Sequence, residues 1–401
     1  MRMGILAGLR GALRRRGNIP LMALIAALRG AGDHMRSVVW QPFALSLGIP
    51  MRSLGGLESA IDLTRISVQP IIGAASDAYG RKRFLVLREL LLVTALALFV
   101  LAGSWHLLLL GVVLVGLSAA FEPVWSTLAA ESSGTAELGM TYSILNTSYM
   151  ATGLIAPVAA GLLAAARGYT PVFYLSAGLG VASLLLVQLK LAETQRRGEG
   201  VEMTWTRFAR SMIDAFRPPP HLRGFYLSMT LDLFAFNLGY RLLYGMLTRS
   251  HGYTPYMLSL MSTAMTGAWA AAQIPLGRLV DRAGYRRFLI ASQLLSCGIL
   301  LGLLSSRRFE LVLALQVLMG ISAALWVPAE QAWIASNVAP EERGKAIGSY
   351  STFRGLLSFP APFIGGALYD AFGFNMPLLL NLIGAAVDVI LIAALVKDRV
   401  T

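Results

Sequence analysis

The sequence predicts an all-α membrane protein, with twelve transmembrane helices in two pseudo-symmetric six-helix bundles. Three observations carry this. Hydrophobic residues make up 56% of the 401 and charged residues only 14%, against about 25% charged in an ordinary soluble domain. Windows of about 20 mainly apolar residues, the length that crosses a hydrocarbon layer, can be placed twelve times. The run Gly73-Ala-Ala-Ser-Asp77-Ala-Tyr-Gly80-Arg81-Lys82-Arg83 is echoed by Gly277-Arg-Leu-Val-Asp281-Arg-Ala-Gly284-Tyr-Arg286-Arg287. The two copies lie 204 positions apart, about half the chain, which is how a parallel internal repeat shows itself.

Taken in order, the spans fall at roughly 19–47, 54–76, 84–103, 106–130, 140–166, 170–191, 222–248, 254–277, 287–305, 309–336, 345–369 and 375–396. Several exceed about 20 residues, which implies tilt or extension past the bilayer. They are helices because a spanning segment must satisfy its own backbone hydrogen bonds. The runs do not alternate, so a β-barrel is excluded. Met1 to Arg16 is basic, and the long apolar stretch after it lacks a small-residue cleavage site. It therefore reads as a first span rather than a removed signal. Cys297 stands alone, which leaves neither a disulfide framework nor a thiolate metal site.

The net charge of +13 and pI near 10.2 raise the question of a nucleic-acid partner, and the distribution answers it. With the amino terminus inside, roughly 23 Lys and Arg fall in cytoplasmic segments and roughly 5 in external ones. The basic charge reads as membrane topology, not as a polyanion site.

The 204-residue offset extends beyond the loops. It relates Gly48 to Gly252, Gly116 to Gly320 and Gly161 to Gly365, and Gly116-Leu-Ser-Ala-Ala120 answers Gly320-Ile-Ser-Ala-Ala324. The expected organisation is an amino-terminal bundle at 1–190, a cytoplasmic linker at 191–221 and a carboxy-terminal bundle at 222–401. Within the linker Trp205, Phe208, Met212 and Phe216 recur at helical spacing, which suits an interfacial helix or a solvated linker with incidental aromatics. Pro218-Pro-Pro220 ends it.

The first loop matches G-x-x-x-D-x-x-G-R-[KR]-x at every defined position and resembles the loop motif of the major facilitator superfamily. The second copy departs only at Tyr285. Pro157 with Gly161, and Pro362 with Gly365 and Gly366, resemble the family's fifth-span antiporter motif, with alanine in place of its first glycine. Pro340-Glu-Glu-Arg-Gly-Lys345 resembles the loop between spans 10 and 11. The arginine of the family's fourth-span motif, linked with proton coupling, is replaced by Val112. The resemblance implies the facilitator fold, with spans 1, 4, 7 and 10 lining a cavity, helped by 2, 5, 8 and 11, and with 3, 6, 9 and 12 outside. It also implies a cytoplasmic gate made of Gly73, Asp77, Gly80, Arg81, Glu131, Gly277, Asp281 and Gly284. Asp77 would face the helix beginning near Gly344, and Arg81 would reach Glu131. The second copy, with Tyr285 and Ala335, should latch more weakly.

A charge at the bilayer centre costs about 2.5–3.5 kcal/mol even on lenient scales, so such residues mark pathways or paired contacts. Arg29, Asp33 and Arg36 share one helix face at i, i+4, i+7, and Glu58, Asp62 and Arg65 repeat that spacing. Their depths suggest Asp33–Arg65 and Arg36–Asp62 pairs between antiparallel neighbours. Further candidates are Glu122, Asp232, Arg241, Glu330 and Arg354. Asp388 departs from the cavity set, and Arg88 and Glu89 read as lying near the cytoplasmic end of span 3. Glu122 is the proton candidate, because it stands in an apolar run where desolvation disfavours the charged form. Arg36, Arg65 and Arg354 suit an anion, while Asp33 and Asp232 suit a cation. Trp40, Trp125, Trp269 and Trp326 are candidate cavity walls for an amphipathic solute. The alternative throughout is charges that neutralise each other and tryptophans that simply pack.

The resemblance implies a secondary active transporter that works by alternating access, with proton-coupled efflux of drug-like or amphipathic molecules as the leading reading. Uptake or exchange of an organic anion through an arginine-lined cavity is the alternative. A non-transporting receptor or lipid-handling protein on the same fold is the reading from another class. An enzyme is not expected: there is no P-loop, and four histidines form no metal motif. No metal or organic cofactor is expected, with the proton as coupling ion. The expected partners are a small organic substrate and the lipid bilayer, without nucleic acid, for a monomer in the plasma membrane with both termini cytoplasmic.

Overall fold

The computed structural model describes residues 17–133, 138–194, 214–339 and 342–397, side chains at 281–283, 344 and 345 excepted. Most of the predicted linker, including Trp205, Phe208 and Met212, lies outside them, as do Pro340 and Glu341. Among the described residues the secondary structure is helical throughout. The helices are α1 (Asn18–Ser46), α2 (Met51–Tyr79), α3 (Arg81–Leu101), α4 (Trp105–Ala119), α5 (Glu122–Ser132), α6 (Leu138–Thr152), α7 (Ala156–Arg167) and α8 (Thr170–Lys190). They continue as α9 (Arg223–Leu238), α10 (Leu243–His251), α11 (Pro255–Ala283), α12 (Tyr285–Ser305), α13 (Phe309–Ser336), α14 (Arg343–Ser358), α15 (Ala361–Phe372) and α16 (Asn375–Leu395).

Four predicted spans are each built from two helices: α4–α5, α6–α7, α9–α10 and α14–α15. The breaks have local causes. Pro157 and Pro362 stand in the first turns of α7 and α15, where a missing N–H is harmless but continuation of the preceding helix is not. Pro123 does the same at α5. Among the described residues, seven passes are long and apolar enough to cross a membrane by length and composition: α3, α4–α5, α6–α7, α8, α12, α13 and α16. The other five, α1, α2, α9–α10, α11 and α14–α15, are the more polar or interrupted ones. They correspond to spans 1, 2, 7, 8 and 11, from the set the resemblance assigns to the cavity.

The repeat is visible in the backbone. Among the described residues, the glycines at positive φ are Gly48, Gly80, Gly168, Gly252, Gly284 and Gly373. They form three pairs at offsets of 204, 204 and 205 residues, so the same three turns recur. At Gly80 (φ 97°) there is a second requirement, since a Cβ would lie 2.8 Å from the Glu193 carboxylate.

By its contacts the chain forms two compact units. The first holds the described residues up to Trp40 and those from Thr64 to Thr194, and the second holds Gln41–Leu63 and those from Asp214 onward. Thus residues 41–63, the end of α1 and the start of α2, belong to the second unit. The core of the first unit includes Met22 and Ile25 of α1, Leu85 of α3, Phe121, Val124, Trp125 and Leu128 around α5, Leu145 of α6 and Val187 of α8. That of the second includes Phe225, Tyr226 and Met229 of α9, Leu289 of α12, Trp333 of α13, Tyr350 of α14 and Ile392 of α16.

Candidate functional site

In each unit the buried stripe of a helix turns polar one or two turns further along, and the polar residues meet. On α1 the face that buries Met22 and Ile25 continues to Arg29, Asp33 and Arg36. Arg29 is buried, lies over the Trp125 ring at 4.1 Å from its centroid, and donates from Nε to Glu89 Oε1 at 2.6 Å. Arg88 donates from Nη1 to the same oxygen at 2.7 Å. Glu89 is fully buried. Arg88 and Glu89 are therefore central to this cluster, although the sequence reading did not count them among the candidate site residues. Helix α3 begins at Arg81, three residues earlier than expected, which sets them about 10–12 Å along it.

Asp33 accepts from Arg36 Nη2 at 2.9 Å and from the Tyr149 hydroxyl at 3.4 Å. A cavity of ≈ 390 Å³ opens in this unit, lined by Arg29, Arg88, Glu122, Trp125, Tyr142 and Tyr149 among others. Glu122 is not in apolar surroundings, as its sequence neighbours suggested. It is the first residue of α5, where the helix dipole favours an anion, and it is exposed on the cavity side. It makes no hydrogen bond or close ion pair among the described residues, though it acts electrostatically on Arg29 and Arg88. Val112, at the position of the family's arginine, is buried. Arg29 reaches the fourth span instead, through Trp125.

A second cluster lies in the other unit. Arg241 donates to Glu58 Oε2 from Nε (3.1 Å) and Nη2 (3.0 Å) and lies 3.7 Å from Asp62. Gln41 donates to Glu58 Oε1 at 3.0 Å and accepts from the Gly245 N–H at 2.8 Å. Asp33 thus takes Arg36 on its own helix, and Glu58 with Asp62 takes Arg241, partners that helical spacing did not suggest. Arg65 is half-buried on α2 in the first unit. Around this cluster Asp370 caps α2, accepting from the N–H groups of Met51 (3.1 Å) and Arg52 (2.9 Å). Gly366 leaves room for the Met51 carbonyl, 2.2 Å from where its Cβ would stand.

The third cluster continues the core of the second unit. Asp232 follows Met229 by one turn, Gln293 follows Leu289, and Arg354 follows Tyr350. Arg354 bonds Glu330 and lies 4.0 Å from Asp232; Tyr350 also donates to Glu330. Gln293 Nε2 donates to Asp232 at 2.6 Å and to Asp388 at 2.8 Å, and Ser228 donates to the other Asp388 oxygen. Asp388, the exception on span 12, thus points into its own bundle.

The tryptophans divide. Trp125 lines the cavity. Trp40 stacks on Phe99 at 4.9 Å between ring centroids, and Trp326 packs against the core of the second unit. Trp269 is half-buried, with its Nε1 lacking a hydrogen-bond partner.

At the first repeat loop, Arg81 donates to Asp77 at 2.5 Å and to Glu131 at 2.9 Å. Glu193 and Thr194, which sequence reasoning missed, complete the knot. Glu193 accepts the backbone N–H groups of Arg81 (3.1 Å) and Lys82 (3.0 Å), and Thr194 donates to Glu131 at 2.5 Å. Gly73 and Gly277 face open space. Gly284 repeats the turn of Gly80 at φ 90°, while the Asp281 side chain is outside the described set. Opposite the second loop, the Ala335 carbonyl accepts from Arg343 at 2.9 Å.

A charged, aromatic-walled cavity inside a twice-repeated bundle of long apolar helices is the architecture of a membrane transporter. The profile of the Major Facilitator Superfamily matches residues 22–248 and 225–401, and the chain belongs to that superfamily. It is a multi-span integral membrane transporter and not an enzyme. Among its relatives are multidrug resistance proteins MdtG, 24% identical in Citrobacter koseri over 89% of this chain and 85% of that one. The MdtG of Serratia proteamaculans is 25% identical over 89% and 84%. Similar solved structures include the nucleoside transporter NupG (TM-score 0.78, 13% identity, 94% of this chain and 100% of that one). The human organic anion transporter MFSD10 superposes with TM-score 0.69 at 17% identity, covering 93% and 98%.

Proposed function

We propose that the protein exports amphipathic organic molecules in exchange for protons, by alternating access, as a monomer in the plasma membrane with both termini inside. The observation that carries this is Glu122, a carboxylate exposed in the first unit's cavity beside Trp125, Tyr142 and Tyr149, with no direct partner among the described residues. One carboxylate cannot hold a proton and an organic cation together, so a site that accepts either in turn exchanges them. The similarity to multidrug resistance proteins supports export of varied substrates, and the basic cytoplasmic segments support the orientation. The test is flux in proteoliposomes with and without an imposed proton gradient. Glu122→Gln should lose gradient-driven flux and weaken counterflow of a cationic substrate, because the same carboxylate holds the proton and the cation in turn; gradient-driven flux at the wild-type rate would overturn the role of Glu122.

A second reading, transport of an organic anion, is favoured by a different observation. Arg29 Nη2 and Arg88 Nε are buried in the cavity's wall residues without hydrogen-bond partners, and guanidinium groups suit carboxylates and phosphates.

A further inference from the structure

The first unit's cluster is neutral overall yet polarised. Its bases Arg29, Arg36 and Arg88 are equal in number to its acids Asp33, Glu89 and Glu122. The bonding is unequal. Arg36 and Asp33 satisfy one another, but Arg29 and Arg88 both lean on a single oxygen of Glu89, whose other oxygen accepts nothing. Arg29 Nη2 is 2.5 Å from that shared oxygen but off the hydrogen-bonding direction. Both guanidiniums are more than nine-tenths buried, with 5% and 9% of the side chain exposed. One positive charge is therefore left at the Arg29–Arg88 end without its own partner. The negative charge that balances it is Glu122, which touches neither arginine closely.

We propose that this cavity binds a zwitterion, with its acidic group at Arg29 and Arg88, its ammonium at Glu122, and an aromatic body against Trp125, Tyr142 and Tyr149. The inference rests on the transport reading above and names the substrate class of that same site. A neutral, dipolar molecule entering a neutral, polarised cavity leaves no unmatched charge in a low-dielectric setting. A purely cationic or anionic molecule leaves one, and unpaired charge inside a membrane protein is costly. The volume of ≈ 390 Å³ sits at the small end of the range of about 300–1,000 Å³ for small-molecule sites, so a compact, single-ring body fits best.

The test uses three probes on one skeleton: 4-(aminomethyl)benzoic acid, which is a zwitterion, its methyl ester, a cation, and its N-acetyl derivative, an anion. Binding to the purified full chain is read by tryptophan fluorescence, and flux by counterflow in proteoliposomes. The zwitterion should bind about tenfold more tightly than either relative, a difference of about 1.4 kcal/mol. Glu122→Gln should abolish the preference over the anion, and Arg88→Gln the preference over the cation. Should Arg88→Gln fail to fold, Glu122→Gln decides alone, since that side chain is exposed and unbonded. A wild-type ranking led by the cation, or a ranking unchanged by Glu122→Gln, overturns the proposal. If none of the three binds while a larger lipophilic cation is still exported under a proton gradient, the zwitterion proposal falls and the export reading stands. If no solute moves under any gradient, the export reading falls first.

Discussion

Glu89 and Asp388 are both fully buried acids on helices that the family pattern places outside the cavity, yet their surroundings differ. Glu89 is gripped by two guanidiniums, so replacing it with glutamine strands two buried cations. Breaking such a pair costs on the order of 3–5 kcal/mol. Asp388 is held by the Ser228 hydroxyl and the Gln293 amide, and no basic group lies within salt-bridge distance among the described residues. An asparagine keeps the shape and can form both hydrogen bonds, so Asp388→Asn should cost less than about 1 kcal/mol. Thermal unfolding of the two variants in detergent checks this; equal losses would show that Glu89 is not held by charge. Sequence reading placed Arg29, Asp33 and Glu122 among the candidates, because charge in an apolar run is conspicuous. Their partners were less legible. Helical spacing gives the face a residue occupies but not the direction that face points. Arg241 and Glu58 lie 183 residues apart, a separation no local pattern reports.

At the scale of elements, the approach of α1 to α6 sets the cavity. A Cβ on Gly30 would lie 2.6 Å from both the Tyr149 carbonyl oxygen and Thr152 Oγ1. Gly30→Ala should therefore push these helices apart, displacing Tyr149 from Asp33, at a cost of about 1–3 kcal/mol. Gly32, two residues on, is the control: its Cβ would meet only the Ser176 carbonyl, at 3.7 Å, so Gly32→Ala should be nearly neutral. Melting temperatures of the two variants decide the matter, and similar values would mean α1 is not seated on α6. The spans themselves were readable from hydropathy, and the turns at Gly80 and Gly284 from the loop motif. Span breaks were not, because α4–α5 and α6–α7 remain apolar across them. Hydropathy starts span 3 at 84, past the basic Arg81-Lys82-Arg83, whereas the helix already begins at Arg81, so Arg88 and Glu89 lie about two turns into it.

For the whole molecule, the charge distribution predicts that the linker is cytoplasmic. A cysteine at Glu199, which lies outside the described residues, in a Cys297→Ser background should resist impermeant labelling from outside intact cells and react after the membrane is opened. Labelling from outside would invert the topology. The placement of residues 41–63 has a consequence of another kind, for synthesis. Their packing partners, from Arg241 and Gly245 to Gly366 and Asp370, are translated nearly 180 to 330 residues later. At roughly 5–20 residues per second, this hairpin waits on the order of 10–60 s in the membrane. During that interval Glu58 and Asp62 lack Arg241 and the start of α2 lacks its Asp370 cap. A nascent chain stalled before Arg241 therefore carries the hairpin without the contacts that seat it in the second unit.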